Sequence, residues 1–337
     1  MPWGPKTLAR SPNRKLMDAL SEVLSSVKLE GAVFFNAEFT APWGFRSPPS
    51  HVVANFLHKA SKHVIIYHLL THGRAQSEVE HNGHRLELLP GDIVVFPHGD
   101  PHILSNGSPS SIVDNDEQLR QVFAQGLTLT RGGGGGETTH FVCGYMKCER
   151  ELCKTVLAGL PPVFKVNIRN DAAGQWLENS INFSAREASC NQPGSDVVLA
   201  KLSETLFVET IRRYMAELPE QQTGWLAGAR DSHVGAALAH LHRAPAHPWT
   251  IASLAHEVGI SRSVLADRFR HYLGEPPMTY LARWRLQLGA QILSSTNYSV
   301  ARIAGDVGYE SEQAFNRAFK REFGTPPARF RMHARSA

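Results

Sequence analysis

The sequence predicts an α+β multidomain chain: a barrel or jelly roll of short strands, a helical linker, and an all-α end with two helix-turn-helix units. Three observations carry this. Short β-type runs separated by turn signals fill the stretch from Gly31 to about Cys148. Helical periodicity takes over after Leu152. The last third repeats one pattern and holds all of the chain's positive excess.

Length and composition agree. A chain of 337 residues, 42% hydrophobic and 20% charged, is long enough for two or three globular domains. No apolar run approaches the 18 or so residues of a spanning helix, and the N-terminal stretch lacks the apolar core of a secretion signal. Four cysteines in such a chain form no disulfide framework, so the expected location is a reducing cytoplasm with no membrane association. The net charge of +4 is unevenly placed. Residues 226–337 carry 14 Arg+Lys against 8 Asp+Glu, a net of +6, and 13 of those cations are arginine. The remainder has 21 against 23, a net of −2. A basic module joined to a nearly neutral one points to a polyanionic partner.

Residues 1–30 read as a polar lead and a short amphipathic helix, with Leu16, Leu20, Val23 and Leu24 at helical spacing. The strand region spans 31–150, with runs at Ala32–Phe39, Val64–Leu70, Ile93–Phe96 and Thr138–Tyr145. Many short strands without intervening long helices suggest a closed or double-layered sheet. The tract Gly132–Gly136 lacks the Lys-Ser/Thr and the helix of a phosphate cradle, and is expected to be a mobile loop. Residues 151–222 predict two helices, around Gly174–Ala188 and Asp196–Leu218, that pack on the strand domain or pair two chains into a homodimer. A polar break, Pro219–Gly224, precedes the basic third.

That third contains an internal repeat. Ile251, Leu254, Ala255 and Val258 match Val300, Ile303, Ala304 and Val307 at an offset of 49. Leu265, Phe269 and Leu273 match Phe315, Phe319 and Phe323 at an offset of 50, so the second copy has one extra residue in its turn. Thr250 and Ser299 are placed to cap the first helix of each copy, and Ser261 and Ser311 the second. Gly259 and Gly308 end the first helices. Each copy is therefore a helix-turn-helix, whose second helix enters the major groove of double-stranded DNA. Outward candidates on the two second helices are Arg262, Ser263, Ala266, Asp267 and Arg270, then Glu312, Gln313, Asn316, Arg317 and Lys320. The mixture suits adenine, guanine and cytosine edges as well as phosphates. A single such pattern is a weak signal, because helical hairpins recur in all-α domains. Two copies in the one basic third are a strong one.

Residues 226–333 resemble the DNA-binding domain of the AraC/XylS transcription regulators, on the elements WTIASLAHEVGISRSVLADRFR, YLARWRLQLGAQIL and IAGDVGYESEQAFNRAFKREFGTPPARFR. The resemblance implies two units reading successive major grooves, with RNA polymerase as a further partner. Ala266 and Asp267 depart from the longer polar or basic groups common in that family, which implies weak base readout by the first unit and leaves Arg262, Ser263 and Arg270 for phosphates.

Gly91, Pro97, Gly99, His102 and Asn106 satisfy the second cupin motif, G-x5-P-x-G-x2-H-x3-N. The segments GAVFFNAEFTAPWGFRSP, IIYHLLTHGR and HFVCGYMKC likewise resemble the cupin-like sensor domain of a subgroup of those regulators. The first cupin motif, with its His-x-His and glutamate, is absent, which argues against a metal-dependent cupin enzyme with an accessory DNA-binding domain. That enzyme is the competing class, and an architectural DNA binder with a degenerate barrel is a third. Histidines remain at His58, His63, His68, His72, His98 and His102.

Three kinds of signal stay open for the sensor. Zinc is one, with His98, His102, Cys143 and Cys148 as candidate ligands, since imidazole and thiolate suit Zn²⁺. A redox switch is another, drawn from Cys143, Cys148, Cys153 and Cys190. A small-molecule effector at the barrel mouth is the third, lined by Trp43, Phe45, Arg46 and His68, with Arg46 facing an anionic group.

Overall fold

The computed structural model describes residues 18–26, 29–47, 49–50, 52, 64–108, 129–148, 157, 159–190 and 192–336. The strand region forms two facing sheets. One has six strands, in the order β10 (Phe164–Asn167), β6 (Asp92–Phe96), β3 (Val64–His72), β9 (Thr138–Cys148), β1 (Leu29–Thr40) and β8 (Leu129–Gly133). All its pairings are antiparallel except β1 with β8. The other has four strands, β2 (Trp43–Ser47), β7 (His102–Asn106), β4 (Ala75–Val79) and β5 (Arg85–Leu88).

Alternation along each strand decides what the two layers bury. Phe35, Phe45, Ile66, Phe96, Leu104 and Phe141 point between the sheets and fill the interior. Ile65, Tyr67, Leu69, Val95, Val142 and Met146 point the other way, toward the helical layer. Hence Val64–Leu70 of β3 is buried at every position, the run expected of a strand covered on both faces.

The helices covering the large sheet are α2 (Ala172–Ser189) and α3 (Ser195–Glu217), close to the two predicted ones. Asp171 caps α2 by accepting from the Gly174 N–H at 2.8 Å. The Tyr67 hydroxyl of β3 is hydrogen-bonded to the Ser203 hydroxyl of α3. Gly144 and Gly31 leave the room for this: a Cβ at Gly144 would lie 2.1 Å from the Tyr67 oxygen, and one at Gly31 2.8 Å from Met146.

Two expectations change. Gly132–Gly136 is an ordered wrap around the β1–β2 turn. Gly134 and Gly136 donate to the carbonyls of Thr40 and Ala41, both at 2.8 Å, and Ala41 donates to that of Glu137. At Gly133, with φ +113°, a Cβ would stand 1.9 Å from the Thr40 carbonyl oxygen. Only glycine permits so close an approach, so the tract is a packing device. The N-terminal helix also does more than lead. As α1 (Ala19–Ser26) it buries Ala19, Leu20 and Val23 against a helix of the basic third, α5 (Ser232–Arg243), although only two residues separate α1 from β1. An eight-residue helix is unstable alone, and that contact shelters its apolar stripe.

The basic third is all helix from α4 (Trp225–Arg230) onward: α5, α6 (Ile251–Glu257), α7 (Arg262–Leu273), α8 (Pro277–Ser295), α9 (Val300–Asp306), α10 (Glu312–Phe323) and α11 (Pro327–Ser336). One continuous core runs from Tyr67 and Val142 on the sheet, through Leu206 and Ile211 of α3, to Leu238, Leu265, Phe269 and Trp284. Ile303, Phe315 and Phe319 belong to a separate core under the second unit. Among the described residues, no helix is long and apolar enough to cross a membrane.

Candidate functional sites

The two predicted units are α6–α7 and α9–α10, and α8 joins them. Thr250 caps α6 reciprocally with Ser253, while Ser261, Ser299 and Ser311 accept from the Val264, Arg302 and Ala314 amides. Four residues separate α6 from α7 and five separate α9 from α10, which is where the offset grows from 49 to 50. Gly274 and Gly324 close α7 and α10 in the left-handed conformation, both at φ +73°.

Arg262, Ser263, Asp267 and Arg270 are exposed on α7, and Ala266 is half-buried. Glu312, Gln313, Arg317 and Lys320 are exposed on α10, and Asn316 is half-buried. The two helices differ in free charge. Asp267 lies 3.6 Å from Arg270 on the same helix. Arg268 is drawn inward to Asp231, which also caps α5 by accepting from the His233 and Val234 amides. The Arg268 guanidinium holds the Asp231 carboxyl below its ordinary range against the opposing effect of burial. Arg268 thus fastens the recognition helix to α5 and is not offered to DNA.

Inside the barrel, His102 and Cys143 of the zinc set meet His68 of the effector set. The His102 Nδ1 lies 2.8 Å from the Asp100 carbonyl oxygen, the His102 and His68 Nε2 atoms lie 2.7 Å apart, and the His68 Nδ1 lies 2.5 Å from the Cys143 Sγ. All three side chains are at most 2% exposed. His68 and Cys143 are cross-strand partners on β3 and β9, and His102 reaches them from the opposite sheet, stacked on Phe96 at 3.4 Å.

The proton positions follow from the acceptors. A carbonyl only accepts, so His102 Nδ1 carries the hydrogen. Burial pushes the His102 pKa down to about 3, so the ring is neutral and its Nε2 has a free lone pair. His68, also held neutral by burial, donates there from Nε2 and leaves its Nδ1 to accept the Cys143 S–H. Burial likewise holds that thiol well above its ordinary value. The result is a directed chain from thiol to backbone carbonyl.

Among the described residues, the zinc candidates are not brought to one point. His98 turns to the Leu160 carbonyl, donating from Nε2 at 3.1 Å. Cys148 ends β9 opposite Leu29, five residues and so roughly 16 Å along the strand from Cys143. The two nitrogens of His68 already serve different partners. Among the described residues, no three His, Cys, Asp or Glu side chains converge on a point that would hold a metal. The proposed mouth changes too. Trp43 is packed into the aromatic interior, 5.4 Å from the Phe141 ring, and donates to Thr139 at 3.3 Å. Phe45 is buried beside it, stacked on Phe35. Arg46 lies on the outer face of β2, because alternation sends it away from Trp43 and Phe45, and pairs with Glu80 at 2.5 Å. Cys190 is exposed at the end of α2, while Cys153, His58 and His63 lie outside the described residues.

Comparison with known proteins agrees with both halves. A family described as cupin matches residues 18–216, and a helix-turn-helix domain family matches residues 254–333. A putative AraC-like transcription regulator of Streptomyces lividans is 30% identical over 319 residues, spanning 94% of this chain and 99% of that protein. The chain belongs to the AraC-like transcription regulators, with a cupin domain ahead of its helix-turn-helix domain.

The HTH-type transcriptional regulator AlkR of Acinetobacter baylyi is 28% identical, over 94% of this chain and 100% of that protein. The RCS-specific HTH-type transcriptional activator RclR of Escherichia coli is 29% identical, over 95% and 99%. This AraC-like regulator is thus a DNA-binding transcription regulator. Two joints in it are not legible in the sequence, Asp231–Arg268 and Tyr67–Ser203. The first was visible only as an N-cap aspartate before α5. The second had no local signal, since its partners are 136 residues apart.

Proposed function

We propose that this chain is a cytoplasmic regulator, acting as an activator, whose residues 31–150 sense, 151–222 relay and 226–333 bind DNA and contact RNA polymerase. The signal is oxidation of Cys143 by a small neutral hydroperoxide. The directed chain Cys143–His68–His102 carries this reading. As sulfur attacks the peroxide, the S–O bond forms and the O–O bond breaks. Because burial disfavours both the free thiolate and the imidazolium, the thiol proton moves through His68 Nδ1 only as the S–O bond forms, and leaves with the departing oxygen as water or alcohol, so sulfur is oxidised to sulfenic acid and the peroxide is reduced. An oxygen added to Cys143 displaces the His68 Nδ1 contact in the core between the two sheets, and a shift of β3 is felt at neighbouring Tyr67, whose hydroxyl holds α3. From α3 the continuous core reaches the first helix-turn-helix unit. What favours this reading over the enzyme alternative is that, among the described residues, His68 and His102 converge on a thiol.

A homodimer is the assembly we propose for tandem sites. Trp176 and Phe183, seven residues apart on α2, are 61% and 57% exposed, and Val197 and Val198 at the start of α3 are exposed as well. Large apolar side chains grouped in this way mark association surfaces. The sensing reading is tested by treating the full chain with peroxide, trapping sulfenic acid with dimedone and mapping the adduct by mass spectrometry. An adduct on Cys143 that weakens in His68→Phe is expected. Labelling confined to Cys190, or labelling of Cys143 indifferent to His68, overturns it.

A further inference from the structure

The two recognition helices carry opposite charge at one matching place and the same charge at the next. With the offset of 50, Asp267 of α7 stands where Arg317 stands on α10, and Arg270 where Lys320 stands. An acid there is unexpected, because the outward face of a recognition helix approaches a polyanion. Nothing internal accounts for it. Asp267 is 77% exposed and so packs against nothing. Ser261 already caps α7, and Asp267 lies beyond the first turn, where the helix dipole favours acids. Its pairing with Arg270, 58% exposed and 3.6 Å away, is a surface contact of negligible strength.

A carboxylate on a base-reading face has a definite complement, the exocyclic amine of cytosine, whose N4 donates into the major groove. Adenine serves less well, since its amine lies beside the N7 acceptor, which repels an anion. We infer that Asp267 makes the first helix-turn-helix unit select a cytosine, with Arg270 as a positioning residue that offsets repulsion between the carboxylate and the phosphates. Arg317 at the equivalent place donates to guanine, so the two halves of the operator are read with opposite polarity. This replaces weak readout by the first unit with a defined preference, and it rests on the DNA-binding role of the family.

The test begins with selection from random duplex DNA by the full-length chain, followed by binding at fixed salt. Wild type and Asp267→Ala are each measured on the selected operator and on one in which the C·G pair facing α7 is changed to T·A. Wild type is expected to lose about tenfold or more on the changed operator, and Asp267→Ala to bind both alike. The exposed position leaves the fold intact, and an unchanged thermal melt verifies that. An equal penalty in both proteins overturns the inference. So does uniformly tighter binding by Asp267→Ala on every sequence, which would make the carboxylate merely repulsive, or the absence of a fixed C·G pair in that half. Selection of no sequence at all would instead remove sequence-specific DNA reading itself.

Discussion

Acidification reaches the interior of this regulator through its buried histidines. Burial holds the imidazoles of His102 and His242 at about 3, against 6.5 for a free imidazole, and His68 shifts in the same direction. Below 6.5 the unfolded chain therefore binds protons that the folded chain refuses, and stability falls with pH. The stabilisation is complete above about pH 6.5 and is lost progressively toward pH 3. At pH 5 each of His102 and His242 costs about 2 kcal/mol, so together they remove about 4 kcal/mol from the 5–15 kcal/mol typical of a folded domain. Carboxyls held low by their partners, such as Asp171 and Asp231, titrate at more acid pH, while within this window burial lowers His240 in the same sense as the buried rings and raises Glu275 in the opposite sense.

His242 offers the control. It lies between Trp225 and Trp284, and its Nε2 accepts from the Tyr280 hydroxyl at 2.7 Å. His242→Phe keeps the stacked shape and removes the titration. Urea unfolding followed by circular dichroism at pH 7.5 and pH 5 reads the difference. Wild type is expected to lose about 4 kcal/mol between pH 7.5 and pH 5, and His242→Phe to lose about 2 kcal/mol less. Stability that is flat or rising between pH 6.5 and 5 would refute the assignment of neutral buried rings.

Arg317→Ala is expected to lower affinity for the selected operator at least tenfold at fixed salt, with the thermal melt unchanged; equal affinity in a gel-shift titration contradicts the role of α10. Gly133→Ala forces a Cβ against the Thr40 carbonyl, and about 2–3 kcal/mol of lost stability in urea is expected, whereas a mobile loop would show none. Trp176→Glu with Phe183→Glu is expected to turn a dimer into a monomer in analytical ultracentrifugation, and a dimer that persists places the interface elsewhere.

The sequence was most legible where structure is local. Caps, glycine stops and a repeated 3.6-residue pattern placed both helix-turn-helix units to within a residue or two, because each depends on side chains three or four positions apart. The second cupin motif likewise placed the β6–β7 turn. What stayed illegible was contact between distant segments. His68, His102 and Cys143 meet because register pairs β3 with β9 and faces them with β7, and spacing along the chain says nothing of that register. The same limit put Arg46 in a pocket: the strand could be seen, but which of its faces turned inward could not. The glycine tract looked mobile because its partner, the Thr40–Pro42 turn, lies about ninety residues earlier. The lead helix showed its apolar stripe but not what shelters it, because α5 is about two hundred residues later in the chain.

On the proposed reading, chemistry at Cys143 changes how the regulator engages DNA. Operator affinity of the full-length protein, measured before and after stoichiometric peroxide in wild type and in Cys143→Ala, tests it most directly. A shift of fivefold or more is expected in wild type, reversed by thiol reductant and absent in Cys143→Ala, as for a coupling of about 1 kcal/mol or more. An identical shift in both proteins, or none in wild type when Cys143 is shown to be oxidised, would contradict it.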